Sequence, residues 1–309
     1  MKKQEQKTYT LMREIAIRDY LNFLKDHEFV VVKDQKVKLH KQWEIIKWAP
    51  SGEYKPEGTT VWSFPNRGDW ATHIGDYRGN FSPFIPRNSI EKYTKKGDWI
   101  LDQMVGSGTT LVECKLLQRN AIGVDINPEA IMVTRNRLDF PYNPPNSSYC
   151  EPIIKTYTGD ARSLNKIKDK SIDLIVTHPP YASIIKYTKE KVEGDISWLN
   201  FVGYLQAMRE IAEESFRVLK PDKYCAILIG DTRKQRHFVP IAYRVMQKFL
   251  EVGFVLKEDI IKLQHNVFTN RGRWNRPYYD FYKIMHEHLF ILRKPKKEEK
   301  LPKLSSNLM

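Results

Sequence analysis

The segment that most limits what this chain can fold into runs from Asp98 to Leu117: the apolar Trp99-Ile100-Leu101, then Asp102-Gln-Met-Val-Gly-Ser-Gly-Thr-Thr110, then a helical pattern. Strand, tight turn and helix form the opening βα step of a doubly wound fold, and the glycines let a ligand approach the backbone at the carboxyl edge of the sheet. A Walker phosphate loop is excluded, because no Gly-Lys-Ser/Thr ending supplies a lysine for phosphates. The dinucleotide pattern is excluded too, since Leu111 stands at its third glycine position. Downstream, strands are predicted at 121–124, 155–158, 172–176 and 224–229, and helices at about 128–138, 199–218 and 238–251. Two closing strands are predicted at 254–262 and 286–292. The alternation predicts an α/β fold with a doubly wound, mostly parallel sheet covered on both faces.

Upstream, Leu11, Ile15, Ile17, Leu21 and Leu24 fall on one side of a helix over about 9–26, and Phe29–Val32 and Val37–Leu39 read as two short strands. Residues 51–88 carry Gly, Pro, Asn and aromatics without periodicity and read as ordered loop. The chain therefore divides into an N-terminal helix, hairpin and connecting loop (1–75), a main domain (76–293) and a charged, proline-punctuated tail (294–309) expected to fray.

Composition narrows the setting. A hydrophobic content of 41% supplies a core and excludes a disordered chain. Against 37 Asp and Glu stand 51 Lys and Arg, a formal +14 that points to a polyanionic partner without choosing between DNA, RNA and acidic lipid. Apolar runs reach only about six residues, against the ~20 a membrane helix needs. Arg13, Glu14, Arg18 and Asp19 interrupt the basic N-terminus, so no signal-peptide block is read there. Cys114, Cys150 and Cys225 are too scattered for a disulfide framework or a zinc clamp, so a reducing, cytoplasmic setting and no metal are expected.

Three strand ends carry the chemistry. Asp125 closes the second strand of the βα series, where a carboxylate can accept both hydroxyls of a ribose, unless it only caps the helix near Pro128. Asp160 follows the third strand after Gly159, as an adenine-amine acceptor or a turn former. After the fourth comes Thr177-His178-Pro179-Pro180-Tyr181, in which two prolines remove two backbone donors and leave rigid carbonyls at the sheet edge, with an aromatic ring placed to stack on a base.

With these motifs the sequence resembles the S-adenosylmethionine-dependent DNA amino-methyltransferases, which methylate cytosine at N4 or adenine at N6. Their D-x-x-x-G-S-G-T-T loop stands at Asp102–Thr110, their acidic strand ends at Asp125 and Asp160, and their [D/N/S]-P-P-[Y/F/W] motif at His178–Tyr181. Their methionine-side cofactor segment is similar to Phe81–Asn88 and Tyr93–Asp98, so the resemblance covers roughly 75–293. It implies a seven-stranded sheet with an antiparallel last strand, and S-adenosyl-L-methionine held by Phe81, Pro86, Arg87, Asp102, Met104, Gly106, Ser107, Gly108, Thr109, Thr110, Asp125, Ile126, Asp160 and Ala161. Catalysis falls to His178, Pro179, Pro180 and Tyr181. The implied partners are duplex DNA with a flipped base and a cognate restriction endonuclease, with the chain a monomer or weak homodimer.

One position departs from the pattern: His178 replaces the usual Asp, Asn or Ser. A neutral imidazole nitrogen can accept from an amine, whereas an imidazolium cannot. The missing carboxylate and the preceding Thr177 favour cytosine N4 over adenine N6. DNA contacts are expected from Lys186, Tyr187 and Lys189, and from Asn270, Arg271, Arg273, Trp274 and Arg276, to phosphates or base edges. The rival readings are an inactive DNA-binding module that keeps the fold, and an RNA or protein methyltransferase.

Overall fold

The computed structural model describes residues 9–32, 35–52, 54–142, 149–181, 193–265 and 280–300. The chain opens with β1 (Arg13–Glu14), α1 (Ile17–Asp26), β2 (Phe29–Val32), β3 (Gln35–Lys38), β4 (Val61–Ser63) and α2 (Phe84–Tyr93). The alternating series follows: β5 (Trp99–Asp102), α3 (Thr109–Leu116), β6 (Asn120–Asp125), α4 (Pro128–Leu138), β7 (Ile154–Thr158) and β8 (Ile172–Thr177). It continues through α5 (Phe201–Val218), β9 (Leu219–Ile229), β10 (Thr232–Lys234), β11 (His237–Val239), α6 (Ile241–Val252), β12 (Val255–Leu263) and β13 (His286–Arg293).

Among the described residues nine strands form one sheet in the order β1-β7-β6-β5-β8-β9-β13-β12-β4. Within it β7, β6, β5, β8 and β9 run parallel, and β13 is antiparallel to both β9 and β12. Apart from the two edge strands, this is the expected sheet with its antiparallel last strand. Its central strands are buried on both faces, which is why they read as unbroken apolar runs. Tyr204, Met208, Ile211, Val245 and Phe249 of α5 and α6 fill one side. Ile85, Ile90, Leu111, Val112 and Ile131 of α2, α3 and α4 fill the other. Truncating one large member, such as the fully buried Phe249, to Ala costs roughly 3–5 kcal/mol.

The described residues before 76 do not stand apart from the main sheet. β1 pairs with β7 and β4 runs parallel to β12, so this stretch covers both edges of the sheet, where unpaired N–H and C=O groups would otherwise be exposed. Ile15, Trp62 and Trp70 sit in the core. Nor is 51–88 all loop: α2 begins at Phe84, and Pro86, which reads as a breaker, lies in its first turn, where its missing N–H removes no helical bond. The helix expected from 238 starts at Ile241, because 232–239 form the β10–β11 hairpin. The tail does not begin at Lys294, whose buried Nζ donates to the carbonyl of Leu219 at 2.8 Å. Among the described residues no helix is long and apolar enough to cross a membrane.

Candidate active site

Strand order decides where the chemistry collects. β5 lies between β6 and β8, so the chain turns in opposite directions from its two sides, and the carboxyl ends of all three strands open on one crevice. There a cleft of about 810 Å³ is lined by the glycine turn, Asp125, Ile126, Asp160, Ala161, His178 and Pro180.

On one wall, Gly106 and Gly108 adopt φ of +54° and +83°, left-handed values that residues with a side chain rarely take. A Cβ on Gly108 would stand 2.9 Å from Thr134, whose hydroxyl donates to the Gly106 carbonyl at 2.9 Å. Asp125 ties this turn to β6, since its Oδ2 accepts from the Gly106 N–H and its Oδ1 from the Asn127 N–H, each at 2.9 Å. Both oxygens keep a lone pair for the cleft, which suits two vicinal hydroxyls. Burial pushes the Asp125 carboxyl up to about 6, against the pull of those N–H donors. Asn127, not Asp125, caps α4, accepting from the Glu129 N–H at 2.9 Å.

On the opposite wall stands His178. Its Nε2 lies 3.1 Å from the Tyr181 hydroxyl, which donates to Glu287 Oε1 at 2.8 Å, and Glu287 Oε2 is paired with Lys262 at 2.9 Å. Phe81 packs edge-on against the His178 ring, with centroids 5.7 Å apart. Burial lowers the His178 pKa, so the ring is neutral near pH 7. Burial alone would raise the Glu287 carboxyl, but Lys262 and its other partners outweigh it and hold the group ionised.

Several residues assigned to the cofactor stand behind the wall. Asp102 is buried, accepts from the Thr110 hydroxyl at 2.6 Å and from the Met104 N–H at 3.2 Å, and braces the glycine turn from below. Burial pushes its carboxyl up to about 7. Pro86 is buried in α2, and Arg87 pairs with Glu113 and Glu91 at 2.9 and 3.2 Å. Glu113 also accepts from Trp70 Nε1 at 2.6 Å and contacts His73 Nε2 at 2.7 Å, which locks residues 70–73 onto α3. Phe81, Met104, Gly106, Ser107 and Thr109 do line the cleft, whereas Gly108 and Thr110 shape it from outside. Asp160 lines it while held by Arg162 at 2.6 Å. Of the catalytic set, Pro179 and Tyr181 are not among the lining residues, and the Tyr181 ring packs against the core beneath α5 and α6.

Tyr77, Gly79, Gln103, Asn127, Asp195 and Ile211 also line the cleft and were not singled out as cofactor residues. Of these, Gln103 sits inside the glycine-turn motif, and Tyr77 and Gly79 inside Gly75–Gly79, a glycine-flanked stretch that the sequence offers as a segment to close over cofactor or DNA. Lys186, Tyr187, Lys189, Asn270, Arg271, Arg273, Trp274 and Arg276 lie outside the described residues. Among the described residues no group of three or more His, Cys, Asp or Glu could hold a metal ion.

Comparison with known proteins adds three findings. A family model described as DNA methylase matches residues 2–136 and 172–307, and one described as an RMKL-like methyltransferase domain matches 93–193. The type II methyltransferase M.Cfr9I of Citrobacter freundii is 29% identical over 114 residues, 37% of this chain and 37% of that enzyme. A tRNA (guanine(10)-N2)-dimethyltransferase of Methanothermobacter thermautotrophicus is 32% identical over 118 residues, 38% of this chain and 32% of that protein. The chain thus aligns with only about a third of the length of these relatives. A crystal structure of an S-adenosylmethionine-dependent methyltransferase from Methanosarcina mazei, 18% identical, covers 68% of this chain and 98% of that one with a TM-score of 0.46.

Proposed function

The chain belongs to the N6/N4 DNA methylase family, whose model spans most of its length, and from that membership we propose that it is a DNA methyltransferase of the restriction-modification type acting on cytosine N4. The cofactor is S-adenosyl-L-methionine. The observation that carries the reading is that the glycine turn, Asp125, and His178 with Pro180, far apart in sequence, converge on one crevice. The half-buried carboxylate of Asp125 suits the ribose hydroxyls, and the left-handed turn at Gly106 brings its backbone to the cleft without a side chain.

When bound, the cofactor supplies an electrophilic methyl group on a sulfonium that departs as a neutral thioether. The chain's own residues supply orientation and acceptors. The Pro179 carbonyl and the His178 ring accept the two hydrogens of the amine, turning its lone pair toward the methyl donor. Once methylated, the amine would carry the positive charge, and His178 would take the proton that it sheds. Cys114 and Cys225 are buried with thiols pushed up by burial and take no part.

The absence of a carboxylate at position 178 supports cytosine N4, with adenine N6 the alternative. The likeness to a tRNA methyltransferase makes RNA the second substrate class to test. Purified protein, labelled S-adenosylmethionine and duplex DNA, followed by nucleoside analysis, decides the matter. N4-methylcytosine is expected; N6-methyladenine overturns the base assignment, and label in RNA alone overturns DNA as substrate. Binding of cofactor and DNA without transfer means an inactive DNA-binding protein.

A further inference from the structure

We propose that Glu287 is a positioning residue for the reaction: acting through the Tyr181 hydroxyl, it fixes the proton of His178 on Nε2 and leaves Nδ1 as the lone-pair acceptor for the target amine. Its assignment to an amine rests on the methyltransferase reading above.

The argument is proton counting. Glu287 is buried on β13 and paired at 2.9 Å with Lys262 on β12, so it is an acceptor only. Tyr181 owns one hydroxyl proton and donates it to Glu287 Oε1 at 2.8 Å. The tyrosine oxygen then faces His178 Nε2 at 3.1 Å with lone pairs alone, so Nε2 must carry the ring proton. His178 Nδ1 is left buried and makes no hydrogen bond of normal length and angle with the described residues, although the Gly79 backbone faces the ring, on a side chain that lines the cleft. A buried polar atom of this kind calls for an occupant, and the one the cleft admits is a hydrogen-bond donor. When Nδ1 takes the amine proton, the imidazolium is stabilised by the Glu287 charge relayed through Tyr181.

The relay also gives Tyr181 a task beyond stacking. A ring that only stacked would lose nothing on becoming phenylalanine. Facing the ring are Glu287 from β13, Lys262 from β12, and the Gly79 backbone, which favours a protonated ring and so competes with the relay for the tautomer.

Two measurements test this. In the free protein, ¹⁵N NMR of histidine, with the His178 signal assigned by its loss in His178→Asn, should show Nε2 protonated and Nδ1 bare. In Glu287→Gln the neutral amide no longer demands the tyrosine proton, and the ring should switch to Nδ1–H. In steady-state kinetics, Tyr181→Phe and Glu287→Gln should each lower kcat about tenfold or more with unchanged cofactor Kd, and the double variant should be no slower than the slower single. Lys262→Met, which spares the Tyr181–Glu287 bond, should keep the wild-type tautomer. Nδ1 protonation in the wild type, an unmoved tautomer in Glu287→Gln, full activity in Tyr181→Phe, or multiplicative losses in the double variant each overturn the proposal. Should Glu287→Gln not fold, Tyr181→Phe decides alone. If the wild type methylates neither DNA nor RNA, the methyltransferase reading fails while the NMR result still decides the relay.

Discussion

The two walls of the cleft are built on opposite principles. On the cofactor wall, the carboxylate of Asp125 is oriented by backbone N–H groups within 19 residues of it. On the target wall, His178 is oriented chiefly by side chains, through a Tyr181–Glu287 bond that spans 106 residues of sequence, with the Gly79 backbone beside the ring. Backbone donors are present whatever the side chains, so a turn with the right φ values recreates the first wall in any chain that keeps its glycines. The second exists only when four particular side chains coincide. The cofactor wall can therefore be shared widely within a family, while the target wall is where this chain can differ, as His178 does.

Substitutions should separate the walls cleanly, the largest effect falling on the target side. Replacing His178 with Ala removes the amine acceptor and should lower kcat by roughly 10²–10³, the usual worth of a positioned acid–base group, with cofactor Kd unchanged by equilibrium dialysis. An alanine variant at full rate would assign His178 to packing and leave the Pro179 carbonyl as the working acceptor. Replacing Asp125 with Ala removes the acceptor for two hydroxyls and should weaken cofactor Kd roughly 10- to 100-fold, at about 1.5–3 kcal/mol for bonds to a charged group, with kcat at saturation nearly preserved. A fall in kcat without a change in Kd would break the division of labour between the walls.

What the sequence disclosed follows the same line. The βα series, the glycine turn and Asp125 were legible because local patterns encode them: apolar runs, left-handed glycines, a proline after the Asn127 cap. The edge strands β1 and β4 were not, because two or three residues that pair with distant strands carry no periodicity of their own. The ion pair of Arg87 was not legible for a related reason, since nothing in its own segment announces that Glu113 lies buried beside it. Glu287 stands in a strand that reads simply as apolar core, His-Glu-His-Leu-Phe-Ile-Leu, and its partnership with the catalytic loop appears only when β13 is inserted beside β9.

The smallest expected effect is a matter of pH, and it bears on the cofactor wall alone. The Asp125 carboxyl titrates near 6 because burial raises it and Asp195, across the cleft, raises it further, while the N–H donors of Gly106 and Asn127 act the other way. If the ionised form is the one that accepts the hydroxyls, cofactor affinity is full above pH 7 and declines as pH falls through 6. At pH 5.5 about a quarter of the protein retains the carboxylate, so Kd should rise about fourfold. Asp195→Asn removes the neighbouring charge and should move that decline to lower pH, and Asp125→Asn should abolish it, both measured by calorimetric titration between pH 5.5 and 8. A decline that persists in Asp125→Asn would belong to another group and would return Asp125 to the structural task of holding the turn. A shift produced by Asp195→Asn would identify a residue of the crevice that tunes the cofactor wall from a part of the chain 70 residues away in sequence.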